Sequence, residues 1–377
     1  MNPARIRTSS RGRRGLALVA IASLAFAALE AGPPAAHADE EDDFLSLQGQ
    51  RTWTAYGDAR PISPYFGTPG EHAPGVPFSR SYIDSTPGRA EAFASFYYPS
   101  EILEEGLLET TKLYHNPTMV RVNNPDIGRG TKGELAPAGP AGPRAAAEVP
   151  SRTDAVSDAR AGVTTDAATL AAGTGRTAAH FNRDDLLVDE ATATVQGLEL
   201  AGSVRIGNLT SLLHVEYRLH QEPKVTYRLA LSGVDAAGQT VVGAGAYGVT
   251  LAGQNVLAHE LVDQFNSQAD QFGKTFADLV ARTSLRLVQP TVQHRDDGSW
   301  LVSGAALEAR SDNKPFRAGG GDNVGLRLAS VKAFAYLIAV GDGPAAPPSS
   351  ETTPSEAKPT TQPAADMPRT GTWAVTR

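Results

Sequence analysis

The sequence predicts an α+β protein: a mainly antiparallel β-sheet with one long amphipathic helix, about 255–281, packed on it. Three observations predict it. Apolar and polar residues alternate over run after run between 191 and 340, the runs are joined by short turn-forming links, and one stretch instead repeats its apolar residues every three or four positions.

The strand-like runs are 191–200, 203–207, 209–219, 224–231, 239–242 and 246–251. In Leu213-His214-Val215-Glu216-Tyr217-Arg218-Leu219 the alternation is strict. A period of two puts Leu213, Val215, Tyr217 and Leu219 on one face and His214, Glu216 and Arg218 on the other. Thr226–Leu231 repeats the pattern, and Val234–Gln239 offers a turn after it. Links this short favour antiparallel neighbours. The helix is predicted from Leu257, Leu261, Phe265, Ala269, Phe272, Phe276 and Leu279/Val280, with Asn255 placed to cap its start. Strands resume over 284–294 and 299–309, separated by Arg295-Asp296-Asp297-Gly298, where the glycine suits a hairpin turn. A last long strand covers 325–340, with a phase change near Ser330-Val331 that predicts a bulge.

The flanks differ in composition. Residues 39–135 mix aromatics (Trp53, Tyr56, Tyr65, Phe66, Phe78, Tyr82, Phe93, Phe96) with frequent prolines, which excludes a long helix and predicts a segment packed on the main β-rich unit of 184–340. Residues 136–183 are rich in Ala, Gly, Pro and Thr and fit either a linker or small-residue strands. Residues 341–377 are rich in Pro, Thr, Ser and Ala, too poor in apolar area to offset chain entropy, and are expected to be disordered.

Residues 1–38 have the three parts of a cleavable export signal. Five arginines precede an uncharged run, Gly15–Leu29, and Ala36-His37-Ala38 follows as a cleavage site. The run is short for a bilayer, which needs about 20 residues. Arg13-Arg14 leaves both the general and the twin-arginine export routes open. Removing 1–38 takes away five arginines and one acid and leaves 29 basic against 40 acidic residues, a net charge of −11. That balance argues against nucleic acid and anionic membranes as partners. There is no cysteine, so disulfides, thiolate catalysis and zinc–thiolate sites are excluded.

No motif carries a defined chemistry. Gly243-Ala244-Gly245-Ala246-Tyr247-Gly248 matches GxGxxG, but Val249-Thr250-Leu251 continues as strand where a dinucleotide site needs a helix. His259-Glu260-Leu261-Val262-Asp263 starts like the zinc motif HExxH and lacks its second histidine. His214, Glu216 and His220 share strand parity, which more often marks a solvated face. Among many carboxylates, Asp184, Asp185, Asp189 and Glu190 included, none is singled out as a glycosidase pair. The expectation is a non-enzyme with no cofactor and no metal.

Between 174 and 340, the segments TGRTAAHF, ATATVQGLELAGSVRIGNLTS, VTLAGQ, LRLVQPTV and SGAALEAR are similar to a group of exported actinobacterial proteins of unknown function. The resemblance covers about half the chain and rests on structural glycines. It implies an envelope or extracellular location and no activity. Met367-Pro368-Arg369-Thr370-Gly371 resembles the sortase signal Leu-Pro-x-Thr-Gly, with Pro368, Thr370 and Gly371 matching and Met in place of Leu. Only Thr372–Arg377 follow, where such a signal has an apolar span and a basic tail, so it reads as a shortened relic.

These observations converge on an exported protein, secreted and with wall attachment left open, that acts as a non-catalytic structural or adhesive module. One alternative is a carrier of an apolar, lipid-like ligand held by Leu261, Phe265, Phe272 and Phe276. The other is a wall-acting hydrolase.

Overall fold

The computed structural model describes residues 44–340, apart from 46, 67–74, 87, 97–117, 126–129, 140–141, 165–167, 183, 201–203, 246–247, 267–282 and 312–323. Within these residues, β1 (Arg51–Phe66), β2 (Phe78–Asp84), β3 (Arg89–Ser95) and β4 (Met119–Asn124) come first. Then follow β5 (Lys132–Leu135), β6 (Arg144–Ser151), β7 (Asp154–Thr164), β8 (Ala168–Phe181), β9 (Leu186–Leu200), β10 (Val204–Arg218), β11 (Lys224–Ala236), β12 (Gln239–Val242) and β13 (Val249–Leu257). The last five are β14 (Thr283–Val288), β15 (Thr291–His294), β16 (Trp300–Ser303), β17 (Ala306–Ser311) and β18 (Val324–Ala339).

The strands form two antiparallel sheets of nine. The middle of the chain builds the second sheet as a meander, each strand from β5 to β12 pairing with the next and β13 also joining β11. The first sheet gathers both ends of the described chain, in the order β14-β17-β18-β1-β2-β3-β4, with β16 and β15 attached through β18. Its centre is the long pairing of β1 with β18, from Arg51 opposite Ala339 to Phe66 opposite Val324.

The protein is therefore mainly β, and the α+β expectation with one long helix over 255–281 is corrected. Residues 249–257 are strand: their ladder to β11 runs from Leu231–Val249 to Lys224–Leu257 and buries Leu251 and Val256. Asn255 caps nothing. It takes a positive φ of 53° where the register shifts between Val225 and Tyr227, so the segment gains an extra residue there. A helix then covers 258–266, and Leu261 and Phe265 are fully buried. The rest of the expected helix, with Phe272 and Phe276, lies outside the described residues. The apolar steps at 257, 261 and 265 suit a helix, but the preceding Val/Leu-rich residues obtained their backbone partners from β11 instead.

The two sheets pack face to face. Inward residues of β10 and β11 (Leu209, Leu213, Val215, Leu229, Leu231) share one buried cluster with Leu328 and Val331 of β18, Leu307 of β17, and Leu261 and Phe265. A second cluster gathers Trp53, Ile83, Phe181, Leu187 and Leu337, with Trp53 stacked on Phe181 across the sheets at 4.4 Å. Elsewhere the inward residues of the central strands are small: Ala55, Gly57, Ala59, Gly173, Gly175, Ala179, Ala191 and Ala193. A Cβ on Gly57 would come 2.5 Å from Asp189 Oδ1 and 2.9 Å from the Glu190 carbonyl oxygen, so glycine is required by the closeness of the sheets.

Residues 144–151, 154–164 and 168–181, within the segment that fitted either linker or strand, are the strands β6, β7 and β8. Small side chains at Ala145, Ala147, Ala155, Ala159 and Ala179 are buried against the first sheet. The Asp-Gly turn joins β15 to β16, with Gly298 at φ 84° donating to the Arg295 carbonyl at 2.9 Å. Near the expected bulge in β18, Ala329 adopts φ 54°, and the register with β1 is the same on both sides of it.

Candidate functional site

Alternation on β1 sends Gly57 and Ala59 inward and Tyr56, Asp58 and Arg60 to the outer face of the first sheet. Asp58 is nonetheless buried, and its carboxylate accepts from Arg80 Nε at 2.6 Å, Arg80 Nη2 at 3.0 Å and Arg60 Nη2 at 3.0 Å. Burial pushes its carboxyl up, but the charges of Arg80 and Arg60 outweigh that and hold it well below the usual carboxylate range. The cluster continues as a stack of planar groups. The Arg80 guanidinium lies over Tyr56 at 5.7 Å, Tyr56 stacks on Phe334 at 5.0 Å, and Arg295 covers Phe334 at 5.6 Å. Glu91, on the same face, accepts from Arg121 Nη2 at 3.1 Å and Asn123 Nδ2 at 3.0 Å.

Between the sheets lies Asp189 of β9, buried and accepting a bond from the Phe334 backbone N–H of β18 at 3.1 Å. Burial raises its pKa well above 3.8, and the charges of Asp58 and Glu190 push it the same way. Burial thus disfavours the charged form of Asp189, and its bond to Phe334 is a polar tie between the sheets. The hydroxyls around it are bonded locally, Ser157 to Thr177 at 2.9 Å and Ser79 to the Gly175 carbonyl at 2.7 Å.

The outer face of the second sheet carries paired histidines. His214 of β10 meets Glu190, its direct neighbour on β9, at 2.7 Å through Nδ1, and Glu216 at 3.2 Å through Nε2. His180 of β8 is hydrogen-bonded to Asp154, its neighbour on β7. The bond from Glu190 raises the His214 pKa, and that from Asp154 raises His180. Glu190 is lowered first by His214. Asp154 is pushed up by burial but lowered on balance by His180. His259, at the start of the helix, binds Glu222 at 2.8 Å, and its pKa is raised by that carboxylate.

The residues marked in the sequence fall in separate places. The GxGxxG stretch lies in the β12–β13 connection, where Gly248 donates to the Gly245 carbonyl at 3.0 Å and β13 follows. Of the HExxD residues, His259 is engaged with Glu222, and Glu260 accepts from the Leu257 N–H at 3.4 Å. His214 and Glu216 do meet, whereas His220 sits in the turn after β10 with φ 57°. Asp185 pairs with Arg51 at 2.8 Å, while the adjacent acids Asp189 and Glu190 point to opposite faces. Leu261 and Phe265 are core residues; Phe272, Phe276, Pro368, Thr370 and Gly371 lie outside the described residues. Among the described residues no three His, Asp or Glu side chains are grouped to hold a metal ion. No helix among them is long and apolar enough to cross a membrane.

The Asp58–Arg60–Arg80 cluster was not visible in the sequence. Its only signal is an Asp-x-Arg pair on a strand otherwise rich in small and aromatic residues, and its burial depends on β2 bringing Arg80 alongside.

No protein-family model and no curated protein matches the chain. Three solved structures align weakly. The crystal structure of Pseudomonas aeruginosa OccK5 (OpdH) is 8% identical over 77% of this chain and 98% of that one, with a TM-score of 0.14. Acinetobacter baumannii OccAB4 is 9% identical over 78% and 99%, with a TM-score of 0.13. Pseudomonas aeruginosa OpdQ is 7% identical over 77% and 98%, with a TM-score of 0.12. Alignments this poor carry no argument about fold or function.

Proposed function

We propose that this chain is an exported, non-catalytic module of the cell envelope, structural or adhesive in role. One observation carries the reading: the two large sheets press together through small residues, and the inner faces serve packing. The side of the second sheet turned away from that interface is a broad, ordered array of polar side chains. Such a frame offers a rigid surface for contact. The apolar-ligand reading is less well supported, because Leu261 and Phe265 sit at 0% and 2% exposure in the same cluster as the sheet residues.

The test starts from protein purified from the producing cells. It is mixed with isolated cell walls and sedimented, while a second portion is extracted with organic solvent and the extract analysed by mass spectrometry. Co-sedimentation without an equimolar lipid is the expected result. An equimolar lipid would replace this function with that of a carrier, and release of soluble wall fragments would make the protein a hydrolase.

A further inference from the structure

The outer face of the second sheet divides into two halves along the strands. In one half the charges are matched in cross-strand pairs: Lys132 with Glu148 at 2.8 Å, His180 with Asp154, and His214 with Glu190. The other half is built differently. One cross-strand row runs Arg144 (β6), Arg160 (β7), Thr174 (β8), Thr194 (β9), Thr210 (β10), Ala230 (β11) and Thr250 (β13), each opposite the next. Seven strands at about 4.8 Å spacing make it roughly 29 Å long. It holds no acid, in a chain whose net charge is −7. Arg176, Thr192 and Arg228 lie in the neighbouring row on one side, with Asp158 as its acid beside them; Gln196 and Asn208 lie on the other. The Glu199–Arg205 pair bounds the far end.

Strand pairing gains from only part of this arrangement: Thr194 and Thr210 hydrogen-bond between β9 and β10 at 3.3 Å, but the arginine end is unfavourable. Arg144 and Arg160 are directly opposite, and like charges so placed destabilise the pair. Arg144 turns aside to Glu134 at 3.0 Å, while Arg160 is exposed. Glu134 and Asp158 offset the opposed arginines only from the side, and a local rule broken in this way on a surface marks a place where something else was selected.

We propose that this arginine-led threonine row is the adhesive site, and that its partner is an extended anionic polysaccharide lying across the strands. This rests on the envelope reading and adds the class of ligand. Guanidinium groups take carboxylates or phosphates through two parallel bonds. Threonine hydroxyls and the amides of Gln196 and Asn208 both donate and accept, as sugar hydroxyls require. A fixed row of such groups presents repeated contacts to a linear polymer, and the acidic remainder of the protein repels polyanions from other surfaces.

The experiment measures binding of the full chain to polygalacturonate, to a phosphate-bearing mannan and to neutral dextran by calorimetry, with wall sedimentation in parallel. Saturable, salt-sensitive binding to one or both anionic probes and none to dextran is expected, and the two probes distinguish carboxylate from phosphate recognition. The double variant Arg160→Gln/Arg176→Gln should bind about tenfold more weakly at least, with a cooperative melting curve that shows it is still folded. Lys132→Gln, in the charge-matched half, should bind as the wild type does. If walls sediment the protein but both anionic probes fail, or the double variant binds them undiminished, this row is not the site and the envelope reading survives. If neither walls nor probes bind, both fall. Equal binding to dextran, or loss of a homodimer in the double variant by light scattering, would also overturn the proposal.

Discussion

The outer faces of the two sheets use polar residues in opposite ways. On the first sheet, Asp58, Arg60 and Arg80 are locked together, with the Asp58 and Arg60 side chains each only 4% exposed, and Tyr56 and Phe334 are each engaged by an arginine and by each other. On the second sheet the pairs are shallower: the His214 and Glu190 side chains are 26% and 35% exposed, and the arginine-led row beyond them has an ion pair at its edge with Glu134 and a single acid, Asp158, in the row beside it. The comparison teaches that charge on a sheet can act as internal structure or as an available surface. What separates the two is burial, which converts a modest ion pair into an obligatory one.

Four measurements would break or sharpen that contrast. Asp58→Ala strips the buried guanidinium of Arg60 of its carboxylate, and the expected loss is about 3–5 kcal/mol in urea unfolding; a loss below 1 kcal/mol would mean the first sheet's cluster is no more structural than the second's. Gly57→Val should cost about 1–3 kcal/mol or more, since the new side chain meets Asp189 and the Glu190 backbone. Glu190→Gln on the second sheet should cost under about 1 kcal/mol, as half-exposed pairs do.

The smallest effect is in the pH profile. His214 and His180 are raised above 6.5, so the folded state holds protons that the unfolded chain releases. Their contribution is complete below pH 6.5 and is lost as pH rises through the folded values. Glu190 and Asp154, lowered from 4.5 and 3.8, contribute above those values and lose that share in acid. Asp189, raised above 3.8, weakens the fold as pH climbs from there toward its folded value. Melting temperatures from pH 4 to 9 should therefore decline toward alkali. His214→Gln/His180→Gln should remove the part of the decline that sets in near 6.5, and Asp189→Asn the part that sets in lower. A profile identical in all three proteins would show that none of these groups is linked to folding.

The strands with strict alternation were legible because period two needs no partner to be read: β10 and β11 follow the pattern of Leu213–Leu219 and Thr226–Leu231. Residues 249–251 were read as strand, but 255–257 were misread as helix because the apolar spacing near Leu257 runs on into that of the helix, and only the ladder to β11 separates them. The histidines were visible as residues on a polar face, but their partners were not. His214 lies 24 positions from Glu190, and His180 lies 26 from Asp154, so each pair exists only once the register is set.

By itself the sequence determined a cysteine-free, β-rich chain, the alternation that turns Leu213 inward and His214 outward, and the glycines that permit turns such as Gly298. These are properties of single residues and their immediate neighbours. The tertiary structure alone decided that β1 and β18 pair at the centre of one sheet, that Gly57 must stay small beneath Asp189, and that Arg160 stands opposite Arg144. Contact between distant segments depends on which strands share a ladder and how closely two sheets approach, and no local pattern encodes either.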